Sequence, residues 1–233
     1  MSFNIVDVII LILFAVGFVS GFKRGVVKQG VLTFGTILVV VLSFMLKNPL
    51  SMMLYKKCPF FTVGILENYS ILNILLYELI SFFILLSIFS LLLAVIIKIS
   101  GIVERFLRST VILALPSRII GALLGILEFY IFCFVVLLIV TMPIFSFSSV
   151  DVIKESTFKE KILSDNFIMS KISGGMVKSV NEINDLLEEE ENLGTEKFNC
   201  KALNVFVNNK IVSTNSVKYL KENNKIERSC KIN

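Results

Sequence analysis

Uninterrupted apolar runs, not alternating apolar and polar positions, dominate the N-terminal part of the chain. Four stand out: Phe3–Ser20, Val26–Leu46, Ile74–Ile97 and Ile119–Thr141. At 1.5 Å per residue, runs of this length cover roughly 27–36 Å, matching a hydrocarbon core about 30 Å thick. Each is apolar on every face, unlike a surface helix with one apolar stripe. The pattern predicts four transmembrane helices. The first run has no basic segment before it, only Asp7 as an early charge, and no small-residue cleavage signal after it. It passes through Gly21-Phe22-Lys23-Arg24-Gly25 directly into the second run, as a retained helix would.

Shorter periodic segments fill the rest. Between the third and fourth runs, Ile99, Ile102, Val103, Phe106 and Leu107 recur at helical spacing, with Lys98, Glu104, Arg105 and Arg108 elsewhere around the turn. This predicts a helix lying in the membrane interface, its bases near lipid phosphates, with an ordinary loop helix as the plainer alternative. Pro116 is expected to break the chain before the fourth helix. The second connection, residues 47–73, contains Pro49 and Pro59 and is too apolar for a free loop. It is expected along the outer surface.

Beyond Pro143, Ile153, Phe158, Ile162, Phe167, Ile168 and Ile172 form an amphipathic pattern that stops at Gly174-Gly175. Val177, Val180, Ile183 and Leu187 continue it as far as Glu188–Glu191, an acidic stretch read as a solvated linker. A last unit reads as two short helices, the second capped by Thr214 or Ser216. The expected division is a transmembrane domain over 1–142, an amphipathic helical segment over 143–187, an acidic linker over 188–199 and a small helical tail over 200–233. The fold class is all-α: a polytopic membrane protein with four spans, interfacial helices and that tail.

Composition narrows the chemistry. The sequence is 55% hydrophobic with a mean hydropathy of +0.84, above the roughly 45–50% apolar content of globular chains. It has no histidine, which excludes an imidazole base, a His-ligated metal and a Ser-His-Asp triad. Cys58, Cys133, Cys200 and Cys230 include no C-x-x-C pair, so neither a zinc knuckle nor a redox motif is expected. The net charge of +5 belongs to residues 1–142. It therefore marks topology rather than nucleic-acid binding. Lys23, Arg24, Lys28, Lys98, Arg105, Arg108 and Arg118 flank the first and third connections; Lys47, Lys56 and Lys57 lie in the second. The bias places the first and third connections in the cytoplasm and both termini outside.

Several residues are candidates for more than packing. Gly17, Gly21 and Gly25 recur every fourth residue, and Gly121 and Gly125 repeat the spacing, which lets helix backbones approach closely in lipid. Tight packing is the plain reading, a channel-lining or moving seam the sharper one. Glu128 lies well inside the fourth run, where a charged carboxylate costs about 2.5 kcal/mol or more without a partner. Counting depth from the run ends sets Thr36 and Ser87 at its level, with Thr33 and Ser90 within a turn, and predicts a polar seam near the membrane centre. Asp7 and Glu78 fall near the outer ends of their runs. Cys200 and Cys230 bracket the terminal helix pair; outside the cell a bridge between them would contribute about 3–4 kcal/mol. Cys133 reads as a small apolar residue in the fourth span.

Two segments resemble the colicin V production protein (CvpA) family: Asn4-Ile-Val-Asp7 with its following apolar run and Gly21-Phe22-Lys23-Arg24-Gly25, and Pro116-Ser117-Arg118-Ile-Ile-Gly121-Ala-Leu-Leu-Gly125. Glu155-Ser156 through Ser173 is similar to family members from low-GC bacteria. The resemblance implies a four-helix inner or plasma membrane protein tied to toxin production. It also raises Asp7 as an outer-leaflet site or helix contact. No catalytic residue, cofactor or metal is expected. The leading expectation is a non-enzymatic factor in toxin production or export, or in cell-envelope homeostasis. The alternative is a small transporter or channel using Asp7, Glu128 and the glycine seams. Expected partners are the bilayer and a second copy or another membrane protein, with no nucleic acid.

Overall fold

A computed structural model describes residues 4–100, 114–145, 153, 155–164, 173, 175–188 and 194–230. Among them every regular element is a helix: α1 (Ile5–Lys57), α2 (Ile65–Asn68), α3 (Leu72–Ser100), α4 (Ala114–Val140), α5 (Thr157–Ile162), α6 (Met176–Glu188), α7 (Thr195–Asn208) and α8 (Thr214–Glu222). Helices α1, α3 and α4 are long and apolar enough to cross a bilayer. Only 11% of the most apolar window of α3 is buried inside the protein. Helices with apolar faces turned outward to this degree need hydrocarbon as their solvent.

Helix α1 is 53 residues long, about 80 Å by helical rise and well beyond one bilayer core. It is two helices meeting at Gly25, whose φ of 73° lies in the left-handed region that glycine enters without a Cβ clash. The second of them continues through Pro49 to Lys57. Residues 47–57, expected as part of a connection, are therefore helical; Lys47, Ser51 and Tyr55 among them share a partner in Glu78, as described below. Helix α4 begins at Ala114, which puts Pro116 inside its first turn rather than ahead of it. A missing N–H costs nothing there, because first-turn amides have no intrahelical acceptor. The expected interfacial helix, with Arg105 and Arg108, falls in residues 101–113 and lies outside the described residues, as do 165–172 and 189–193.

The chain forms two compact units. The first comprises Met1–Ser43, Leu86–Ile139 and Asp151–Ser164. Within it the contacts with α4 reveal the path of the chain. Gly17 packs on Gly125 and Gly21 on Gly121, an antiparallel register. Past Gly25 the register is parallel: Val26 N donates to Ser117 Oγ (3.3 Å) and Thr33 Oγ1 to the Leu124 carbonyl (3.1 Å). The chain reverses direction at one residue. A Cβ on Gly17 would stand 2.6 Å from the Gly125 carbonyl oxygen, and one on Gly121 would stand 2.6 Å from that of Gly21. Only hydrogen fits at such a backbone crossing. Ile10, Val39, Val40, Ile131 and Phe134 close the core of this unit.

The second unit comprises Phe44–Leu85, Val140–Val150 and Asp165–Asn233. Its core joins Tyr55, Leu72 and Leu75 to Ile183, Phe198, Phe206, Val217 and Leu220, with Tyr69 edge-on to Phe198 at 4.6 Å between ring centroids. A disulfide links Cys200 and Cys230 across 30 residues, with a Cα–Cα distance of 4.9 Å. Lys225 Nζ donates to the carbonyls of Tyr55 and Cys58 at the end of α1, where helix carbonyls lack intrahelical donors and favour a cation. Partial burial pulls the Lys225 ammonium below the usual lysine range, outweighing the opposing pull of Cys58. Ser213, not Thr214 or Ser216, caps α8: its extended backbone lets Oγ accept from Ser216 N at 3.1 Å. The cap falls one residue before Thr214 and three before Ser216, the two positions the sequence offered.

Candidate functional site

Three carboxylates on the long helices define the polar chemistry. Asp7 belongs to the first turn of α1, where Asn4 is the N-cap: Asn4 Oδ1 accepts from Val6 N (2.9 Å) and Asp7 N (3.1 Å), and Asp7 Oδ2 accepts from Asn4 N (3.2 Å). This is a reciprocal capping box built from Asn and Asp. The other oxygen of Asp7 reaches the segment after α4, accepting from Ser156 Oγ (2.7 Å) and Phe158 N (3.0 Å). Ser156 in turn caps α5 through Lys159 N. One buried carboxylate therefore completes two helix N-termini that are 149 residues apart in sequence. Asp7→Ala would take from the Ser156 hydroxyl and the Phe158 amide the carboxylate oxygen they share, at about 1–3 kcal/mol each. In detergent-solubilised protein, trypsin is expected to cut at Lys159 and Lys161 at least about tenfold faster in this variant, because cleavage follows the open population.

Glu78 on α3 is 1% exposed and faces a polar stripe on α1. It accepts from Lys47 Nζ (2.5 Å), Ser51 Oγ (2.5 Å) and Tyr55 OH (2.7 Å). These three donors recur every fourth residue, so one helix face carries them all. Lys47, expected as a loop charge, is a buried partner with 4% side-chain exposure. Nearby, Asn73 organises the 58–71 connection: its Oδ1 accepts from Phe61 N, and its Nδ2 donates to the carbonyls of Phe61 and Leu66.

Glu128 on α4 meets the chain reversal. Its Oε2 accepts from Gln29 Nε2 at 2.5 Å and lies 3.7 Å from Arg24 Nη1. Gln29 Nε2 also donates to Thr33 Oγ1 (3.2 Å), and Gln29 Oε1 accepts from Arg24 Nη1 (3.3 Å). Thr36 is half-buried and Ser87 exposed; among the described residues neither makes a polar contact with Glu128. The cluster is Arg24, Gln29, Thr33 and Glu128. By the register of Val26 with Ser117 and Thr33 with Leu124, Thr36 falls level with Leu127, so depth counting found the level of Glu128 but not the helix face its partners occupy. Gln29, the lone amide in the second apolar run, was the available signal.

The other sequence candidates separate by role. Gly17, Gly21, Gly25, Gly121 and Gly125 form one crossing within the chain. Lys23 is exposed, Arg118 lies over the Phe22 ring at 5.9 Å, and Arg24 turns to Glu128. Cys133 is buried in α4. Glu227 sits beside the disulfide, its Oε2 3.8 Å from Cys230 Sγ. With both sulfurs bridged, that group offers no thiolate to a metal.

Long apolar helices, two of them meeting at a glycine reversal, with carboxylates answered by donors from neighbouring segments, define an all-helical membrane protein. Residues 6–165 match the family described as colicin V production protein. The chain belongs to that family. The matched region takes in Asp7, Glu78, Glu128 and Ser156. No curated protein and no solved structure matches the chain significantly.

Proposed function

We propose that this protein is a four-span, non-enzymatic membrane factor serving toxin production or export, or cell-envelope homeostasis, with both termini outside the cytoplasm. The observation that carries the reading is the disulfide-closed unit of α7 and α8, tied by Lys225 to the end of α1. Such a bridge persists in an oxidising compartment, and the tie sets the second connection on the same side as the tail. The glycine reversal supports the span count, since it divides the 53 residues of α1 into two lengths that can each cross. Pairing of Lys47 with Glu78 removes one base from the outer count and sharpens the charge bias toward the first and third connections. The non-enzymatic reading rests on Asp7 and Glu78, whose oxygens are taken up by contacts between chain segments.

A tail braced in this way offers a fixed surface for other envelope or export proteins. The test combines topology with phenotype. Alkaline phosphatase fused after residue 233 is expected to be active, and the same enzyme inserted within 101–113 inactive. Maleimide-PEG on intact cells is expected to shift Cys200 and Cys230 only after reduction. Deleting residues 195–233 should impair toxin release or raise sensitivity to membrane-active compounds while the spans still insert. An active fusion at 101–113, or a deletion without phenotype, would sink this reading.

A further inference from the structure

The three carboxylates differ in how fully they are answered. Both oxygens of Asp7 and both of Glu78 receive hydrogen bonds. Glu128 is engaged through Oε2 alone; among the described residues no hydrogen bond reaches its Oε1. An ionised carboxylate has about four lone-pair positions, so Glu128 keeps unused capacity inside a membrane helix, where an unanswered charge is costly.

The groups that touch it are two nitrogens, Gln29 Nε2 and Arg24 Nη1, and oxygens lie behind Gln29. Thr33 Oγ1 and the Leu124 carbonyl are 3.1 Å apart. Gln29 Nε2 is inserted between oxygens, 2.5 Å from Glu128 Oε2 and 3.2 Å from Thr33 Oγ1. Turning the Gln29 amide over would present Oε1 in its place. The counter-charge is loosely held: Arg24 reaches Glu128 through one nitrogen at 3.7 Å, not through the bidentate fork that makes such pairs strong, and its side chain is 37% exposed.

We infer that Glu128, Gln29, Thr33 and the Leu124 carbonyl form a binding site for an alkali-metal cation, sodium or potassium, for which Arg24 is a tethered competitor. Oxygen donors suit a hard cation, and a single carboxylate matches one positive charge; a divalent ion would draw on further carboxylates. When Arg24 swings to the interface the cation takes its place, and when it returns the cation leaves. The site goes beyond the proposed role and does not depend on it.

The test measures binding of radioactive sodium and potassium to the full chain in lipid nanodiscs, with unfolding temperature followed in sodium, potassium or choline chloride at equal ionic strength. Arg24→Gln, which leaves Lys23 and Lys28 in place, is expected to bind one of the two metals at least about tenfold tighter than wild type, because an internal competitor is gone. Glu128→Gln is expected to abolish binding in either background. A folded Arg24→Gln protein that binds no better than wild type overturns the proposal, as does a Glu128→Gln protein that still binds. Should Arg24→Gln fail to fold, the wild type decides: metal-specific stabilisation that is absent in Glu128→Gln supports the site, and an equal response overturns it. A response to pH alone, the same in all three salts, overturns the metal site.

Discussion

Replacing Glu78 by leucine is expected to destabilise the protein by about 3–5 kcal/mol, because Lys47 is left charged and buried without its partner. For a chain of this size that corresponds to a fall of roughly 6–20 °C in the unfolding midpoint, read as the fraction remaining monodisperse in detergent after heating. The cost lies in the stranded ammonium rather than in the lost attraction. Lys47→Met combined with Glu78→Leu should therefore recover most of it, since neither charge then needs an answer. Ser51 Oγ keeps a bond to the Asn48 carbonyl at 3.0 Å, so it tolerates the double change. Tyr55 OH fares worse, because it loses its 2.7 Å bond to Glu78. A residual deficit of about 1–3 kcal/mol is expected for that hydroxyl, and adding Tyr55→Phe should remove it. Equal instability of the single and double variants would show that the cluster acts through packing and not through charge.

The same cluster marks where the sequence was legible and where it was not. Long apolar runs identify themselves, because every residue contributes and no partner is needed; α3 and α4 follow the third and fourth runs closely. Polar residues carry no such redundancy. Lys47 as a loop charge and Lys47 as a buried ion-pair member look alike until Glu78 is known to face it. The recurrence of Lys47, Ser51 and Tyr55 every fourth residue was visible, but Pro49 within it argued for a connection instead. Asn4 and Ser156 were equally hidden: each is a routine polar residue until it is seen to cap a helix and meet Asp7. For Glu128 the carboxylate and the nearby Thr33 were found, and the direct contacts of Gln29 and Arg24 were not. Apolar content decides which residues enter the bilayer, whereas the face of the helix each residue occupies decides which side chains meet at a given level. The glycine spacing, by contrast, carried real information, since close approach depends on residue size alone.

That dependence on size makes the glycine crossing the sharpest place to perturb the fold. A Cβ at position 21 would fall on the carbonyl oxygen of Gly121 and within 2.9 Å of its carbonyl carbon. Both are backbone atoms held by their own helix, so no rotamer change relieves the overlap, and the 5–24 segment must move away from α4. Gly21→Ala is expected to cost about 1–3 kcal/mol, the usual penalty for overpacking, and Gly21→Val more, with loss of the folded protein in detergent. Gly30 supplies the control. Its Cβ would meet nothing nearer than Leu124 Cδ1 at 3.8 Å, so Gly30→Ala should be neutral or stabilise by up to about 1 kcal/mol through helix propensity. Melting curves of the three variants in one detergent make the comparison. If Gly21→Ala and Gly30→Ala behave alike, the segments do not cross at these glycines. The consequence reaches beyond stability, because Arg24 follows Gly21 by less than one turn, and Glu128 follows Gly125 on α4 by the same three residues. A helix displaced at Gly21 carries the guanidinium away from the carboxylate it balances, so the smallest side chains in the protein set the spacing of the Arg24–Glu128 pair.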